Sequence, residues 1–155
     1  ELIRNGTVWA DVEHNREQMI KRCPKVDFYV SATLSVFNHL HVVDFYNDWI
    51  AKGLISHQDW NMNVVQDPEH YRADILPQHM KDNVTQLYQS HIEQIEPKDH
   101  LGRATNGFKS AIKFINSTDN TKLIPQFQKF VHLIDKRRDQ KTLDVFPELK
   151  DLLHE

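Results

Sequence analysis

From Tyr29 to Val36 the chain alternates between two chemistries, and nothing else in it limits the choice of fold so sharply. Val30, Ala32, Leu34 and Val36 fall on one side, while Tyr29, Ser31, Thr33 and Ser35 fall on the other. A period of two is the signature of a β-strand, here spanning about Val26 to Val36. One face is apolar and fits a layer of helices; the other is small and hydroxylic and fits a polar interior. Asn38-His39 then makes a turn, and a helix is predicted from about Val42 to Lys52, with Gly53 at its C-terminal boundary. A second short strand, Trp60 to Val65, closes at Asp67-Pro68. Strand, helix and strand with short connections form the βαβ unit of a parallel sheet. Two parallel strands do not make a whole sheet. Either this is an unusually helical domain or further strands lie upstream.

The remainder reads as helix. Thr7 is a candidate N-cap for a helix to about Arg22, with Val8, Val12, Met19 and Ile20 at helical spacing and Pro24 as the stop. A brief extended piece, Tyr71 to Leu76, leads to Pro77, and helices follow at about 78–95, 101–116 and 121–138. Phe127, Phe130, Val131 and Ile134 mark the buried stripe of the third. A last helix, Phe146 to Leu153, takes Pro147 at its first turn. The fold class is therefore α/β, with residues 1–77 carrying the strands and residues 78–155 forming a helical C-terminal extension.

Composition narrows the function classes. A net charge of -3 leaves no basic surplus for gripping phosphates, and the one dense basic run, Lys136-Arg137-Arg138, reads as a solvated helix face. No nucleic-acid partner is expected. No apolar run has the length of a membrane span, so no membrane partner is expected either. Cys23 is the single cysteine, which rules out an internal disulfide or a thiolate metal cage and fits a reducing, cytoplasmic compartment. The Asn-x-Ser/Thr triplets at Asn5, Asn83 and Asn116 are accordingly read as chance matches. The opening Glu1-Leu2-Ile3-Arg4-Asn5-Gly6 reads as a chain entered in mid-sequence.

The search for a catalytic centre returns fragments. His39, His41 and Asp44 would resemble a His/His/carboxylate ligand set if they converged, the basis for a metal-dependent hydrolase reading. Asp67, Glu69 and Asp74 gather near a proline turn and read as a solvated loop. No glycine-rich phosphate cradle and no Gly-x-Ser-x-Gly elbow occur. Cys23, beside Pro24, reads as a half-buried structural thiol. The hydroxyls of Ser31, Thr33 and Ser35 are the feature with a functional slant, since such a strand face can line the mouth of a barrel.

Taken in order, several stretches resemble the second half of radical S-adenosylmethionine (SAM) proteins, specifically the group with a twitch-type C-terminal extension. Ile3-Arg4-Asn5-Gly6-Thr7-Val8-Trp9, with Val12 and Asn15, is similar to the helix after the fourth barrel strand. Val30 to Asn38 resembles the fifth strand and its turn, and Trp60-Asn61-Met62-Asn63-Val64-Val65 the sixth. Pro68-Glu69-His70-Tyr71, with Ile75-Leu76-Pro77 and Lys81, resembles the exit from the barrel, and Asp144 to Leu149 the chain end. The resemblance implies the rear part of a partial (β/α)6 TIM-like barrel. The family's Cys-x3-Cys-x2-Cys and Gly-Gly-Glu-like stretches are absent from these residues, so a [4Fe–4S] cluster would be ligated by a missing N-terminal half of the same protein. No cysteine follows Cys23 to hold an auxiliary cluster.

On that resemblance the parent enzyme would cleave SAM reductively at the cluster and use a 5′-deoxyadenosyl radical on an unknown peptide or small-molecule substrate. Arg4 is the candidate partner of the SAM carboxylate, for which a guanidinium fork is suited. Ser31 and Thr33 would face the barrel interior near SAM or substrate. Asn38 would shape the turn at the C-terminal mouth, where barrel ligands gather. A non-catalytic α/β module docking a protein partner through its helical half is the alternative. Under the barrel reading, the two strands are parallel neighbours and Ser31 and Thr33 face away from the helix that joins them.

Overall fold

The structure, a computed structural model, describes residues 6–153. Among them the chain is α/β and mostly helical, with seven α-helices and one two-stranded parallel sheet. Helix α1 (Trp9–Arg22) leads to strand β1 (Val30–Leu34), helix α2 (His41–Ala51) and strand β2 (Trp60–Val64). Then come α3 (Gln78–Ile95), α4 (Arg103–Ile115) and α5 (Ile124–Arg138), and the short helices α6 (Thr142–Val145) and α7 (Lys150–Leu153).

The strands pair in register from Val30 opposite Trp60 to Leu34 opposite Val64. β1 is shorter than the alternation suggests. β2 starts at Trp60, so residues 26–29 have no strand to pair with, and after Leu34 the chain bends into the Asn38 turn. The Val30 amide donates to the Asp59 carbonyl at 2.7 Å and the Val65 amide to the Leu34 carbonyl at 2.9 Å. The even-numbered residues of β1 therefore bond to β2, and the backbone groups of Ser31 and Thr33 turn to the opposite edge.

Between the strands, α2 buries Val42, Val43, Tyr46 and Trp49 against the apolar sheet face. It ends where Gly53 has a positive φ of 68°. There the Gly53 amide reaches the Ile50 carbonyl at 3.0 Å and the Leu54 amide reaches Trp49 at 2.9 Å. Those two bonds satisfy the last helical carbonyls, and a glycine takes the left-handed position without a Cβ clash.

One core runs across residue 77. Leu34, Tyr46, Trp60, Tyr88, Phe108, Phe127, Leu149 and Leu152 are all fully buried in it. Trp60 stacks over Phe108 with 7° between the rings, which locks α4 to β2. Gly107 allows that closeness: a Cβ there would stand 3.0 Å from the Met62 Cβ.

Three local expectations change. The apolar positions of α1 are not a buried face: Met19 and Ile20 are exposed, and the helix is seated instead by Trp9 against Phe45 and Trp49, each at 5.6 Å. Val8, not Thr7, occupies its N-cap. Residues 71–76 are not extended but lie within and after two 3₁₀ turns, Glu69–Tyr71 and Ala73–Ile75, because Asp74 is drawn into the interior. The final helix is broken into pieces. Phe146 leaves the helical region before Pro147, which disfavours helical backbone in the residue ahead of it, and separates α6 from a 3₁₀ turn and α7.

Candidate functional site

The strand register puts Ser31 beside Asn61 and Thr33 beside Asn63. These four side chains share the sheet face opposite the Trp60–Leu34 core, and Ser31, Thr33 and Asn63 are exposed. The Asn63 amide donates to the Ser31 hydroxyl at 2.7 Å, tying the two strands together across that face. Both are expected to face away from α2; Ser31 lines a hollow that holds no α2 residue, whereas Thr33 lines one together with His41, Val42, Asp44, Phe45 and Asp48 of that helix.

α4 adds a wall. Arg103, Asn106 and Ser110 recur at three- and four-residue spacing and so share one helix face. Together with Tyr29, Ser31, Asn61 and Asn63 they line an open groove of about 540 Å³. Arg103 is the one charged side chain among the lining residues, and its guanidinium also donates to the Gln58 carbonyl at 3.2 Å. The groove thus offers neutral hydroxyls and amides with a single fixed cation. That set can orient a hydroxyl- or amide-rich ligand and meet one negative charge, but it contains no base beside a nucleophile.

Thr33 is not among the residues that line this groove. With Asn38, His41 and Asp44 it lines a second hollow of about 610 Å³ between α1 and α2. Asn38 is fully used as a turn former. Its Oδ1 accepts from the Ser35 amide at 2.8 Å and hydroxyl at 3.2 Å, and its amide donates to the Thr33 carbonyl at 3.0 Å. Ser35 is therefore buried in the turn and does not continue the hydroxyl face. Arg4 lies outside the described residues.

The metal-ligand set proposed for His39, His41 and Asp44 does not converge. His39 is buried with Nδ1 on the Val36 carbonyl at 2.6 Å, whereas His41 reaches Glu148 at 2.6 Å and Asp44 is exposed. Among the described residues no three His, Cys, Asp or Glu side chains are placed to hold a metal ion.

Two further readings are corrected. Cys23 is exposed, not half-buried, at the C-cap of α1, a helix with no buried residue. Asp74 is not in a solvated loop but completely buried. Arg72, Thr118 (3.0 Å) and Asn120 (2.9 Å) all donate to its carboxylate, which anchors the α4–α5 connection.

The residues overlooked in the sequence are Asn61, Asn63, Arg103, Asn106 and Ser110. Asn61-Met62-Asn63 carries the same alternation as Ser31-Ala32-Thr33, and that signal was available. The α4 face was not, because long-range contacts, Gly107 with Met62 and Phe108 with Trp60, bring it to the sheet.

No protein-family model matches the chain, and no curated protein or solved structure matches it either. Among the described residues, no helix is long and apolar enough to cross a membrane.

Proposed function

We propose that the chain is the C-terminal part of a radical SAM protein, in which β1 and β2 are the last strands of a partial (β/α)6 barrel and residues 78–153 are its helical extension. The observation that carries the proposal is the exposed polar face Ser31–Thr33–Asn61–Asn63 on a parallel βαβ unit. Parallel strands normally have both faces covered, and a face of hydroxyls and amides fits a wall that looks into a barrel holding a polar ligand. The edge of β1 that bears the Ser31 and Thr33 backbone groups supports it as well, as the position where a preceding parallel strand would add.

The residues fit the two cofactors differently. A [4Fe–4S] cluster needs several cysteine thiolates, and Cys23 alone does not supply them, so the cluster would be held by the N-terminal half of the same protein. SAM carries ribose hydroxyls, an adenine edge and a carboxylate, and the groove's hydroxyls, amides and Arg103 match those groups. When bound at a cluster, SAM supplies the radical-initiating chemistry. This chain's residues would position the ligand: Asn63 and Ser31 at the sheet, Asn106 and Ser110 from α4, and Arg4 toward the carboxylate. The substrate, a peptide or small molecule, would lie in the same barrel, in the cytoplasm.

Sequencing the coding DNA upstream of Glu1 is the decisive experiment. An in-frame Cys-x3-Cys-x2-Cys within one partial barrel, on the order of a hundred residues, is expected. A start codon directly before Glu1 overturns the proposal.

A further inference from the structure

Between the turn that follows β1 and the last turns of α5 lies a recess of about 150 Å³. Phe37 and Val131 line it and are buried, as is Thr142 at the start of α6. Tyr71, Phe130 and Ile134 are half-buried walls. Arg138 is the exposed lining residue and, with half-buried Gln140, stands where the recess meets solvent. The lining is thus sorted by depth, with rings and aliphatic groups inside and a cation at the mouth.

The aromatic walls are fixed by their own packing. Tyr71 stands edge-on to Phe37 and to Phe130, 5.1 Å from each. Phe37 also packs on Phe127 at 5.3 Å and on Phe146 at 5.9 Å, which holds its ring at the wall. An apolar cavity of about this size, roughly 150 Å³, takes one benzene ring and is too small for a drug-sized molecule.

Electrostatics decide the other end of the ligand. Burial raises the pKa of the Tyr71 phenol, and the positive charge of Arg138 pulls it partly back, so that charge is felt within the recess. No Asp or Glu is among the lining residues. Asp135, one turn earlier on α5, is engaged elsewhere, accepting from the Thr142 amide at 2.9 Å and hydroxyl at 2.8 Å. A cationic ligand would meet Arg138 as a like charge, and a bare phosphate would leave the aromatic walls unused. One ring bearing one carboxylate uses both. A guanidinium has five N–H donors in a fork, so Arg138 can present a pair of them to a carboxylate alongside its other contacts.

We propose that this recess binds a small aryl carboxylate the size of phenylacetate, its ring against Phe37, Tyr71 and Phe130 and its carboxylate on Arg138 and Gln140. The recess shares no lining residue with the sheet groove, and the proposal is independent of the radical SAM reading.

The test titrates the full 155-residue chain with phenylacetate at pH 7.5 and follows the aromatic side-chain resonances by NMR. Phenylacetate should saturate with a Kd below about 1 mM and give intermolecular NOEs to the rings of Phe37 and Phe130. Phenylacetamide keeps the shape without the charge, phenethylammonium reverses the charge, and acetate lacks the ring; each should bind at least tenfold more weakly. N-acetylphenylalanine, standing for the C-terminal residue of a peptide, should also bind more weakly, because its amide exceeds a one-ring recess. Arg138→Gln, at an exposed residue, should keep the fold, weaken phenylacetate about tenfold and leave phenylacetamide unchanged. No saturable shift, NOEs to rings outside the recess, or tighter binding of N-acetylphenylalanine would overturn the proposal. So would equal binding of phenylacetamide, or an Arg138→Gln chain that holds phenylacetate as tightly as the parent.

Discussion

Acid should unfold this chain through a single imidazole more than through any other. His91 on α3 is almost completely buried, wedged between the rings of Tyr46 at 5.0 Å and Phe108 at 4.8 Å. Neither ring nitrogen has a hydrogen-bond partner. Burial first, and the nearby His57 second, push its pKa down to about 4. In the unfolded chain the same group titrates at about 6.5.

The sign follows from linkage. Above the unfolded value both states are neutral and the stability is intact. As pH falls below about 6.5 the unfolded chain takes up a proton that the folded chain refuses, and the loss continues until about pH 4. A displacement of that size amounts to about 3 kcal/mol in full, and to roughly 2.5 kcal/mol by pH 4.5. Against a typical total of about 5–15 kcal/mol this is a large share.

His91→Leu isolates it. Leucine fills a similar volume, removes two unpartnered nitrogens and cannot titrate, so at pH 7.5 the variant should be as stable as the parent or slightly more so. Urea unfolding at steps from pH 7.5 to 4.5 measures both proteins. Carboxylates and the other histidines titrate in both and cancel in the difference. That difference should grow in favour of the variant by about 2.5 kcal/mol across the range. If the two curves run parallel, His91 is not held neutral by burial and the reasoning fails. The Cε1 proton of His91, followed by NMR, should show a midpoint close to 4 and not near 6.5.

Three further outcomes follow from the packing. Gly107→Ala sets a Cβ 3.0 Å from the Met62 Cβ, and neither atom can swing aside, so urea melts should show a loss of about 1–2 kcal/mol despite alanine's better helix propensity. Asp74→Ala strands the Arg72 guanidinium and releases Thr118 and Asn120; the expected cost is about 3–5 kcal/mol, with faster amide exchange across residues 116–123. Asn63→Ala, on the exposed face, should change stability by no more than about 0.5 kcal/mol; under the proposed radical SAM function it should also weaken SAM binding about tenfold in the chain joined to the N-terminal half that the proposal requires. Calorimetry on that assembly reads it, and unchanged SAM affinity would count against the groove.

What the sequence disclosed and what it hid divide along one physical line. Periodicity reports which way a side chain points relative to its own backbone. That was enough to place β1, α2, β2 and α3, and to set Ser31 and Thr33 on the face opposite the core. It does not report what covers a face. Met19 and Ile20 keep helical spacing and stay exposed, because no described element lies over them. Asp74 looks like a loop carboxylate until Thr118 and Asn120, more than forty positions later, donate to it. His39 shows the same limit from the other side. Spacing suggested a pairing with His41, two residues on, but the His39 ring is held on the Val36 carbonyl while His41 pairs with Glu148, more than a hundred positions later. Polar contacts in this fold are assembled across long stretches of chain, and the hydroxyl face of β1 was legible because its neighbour, β2, repeats the same alternation.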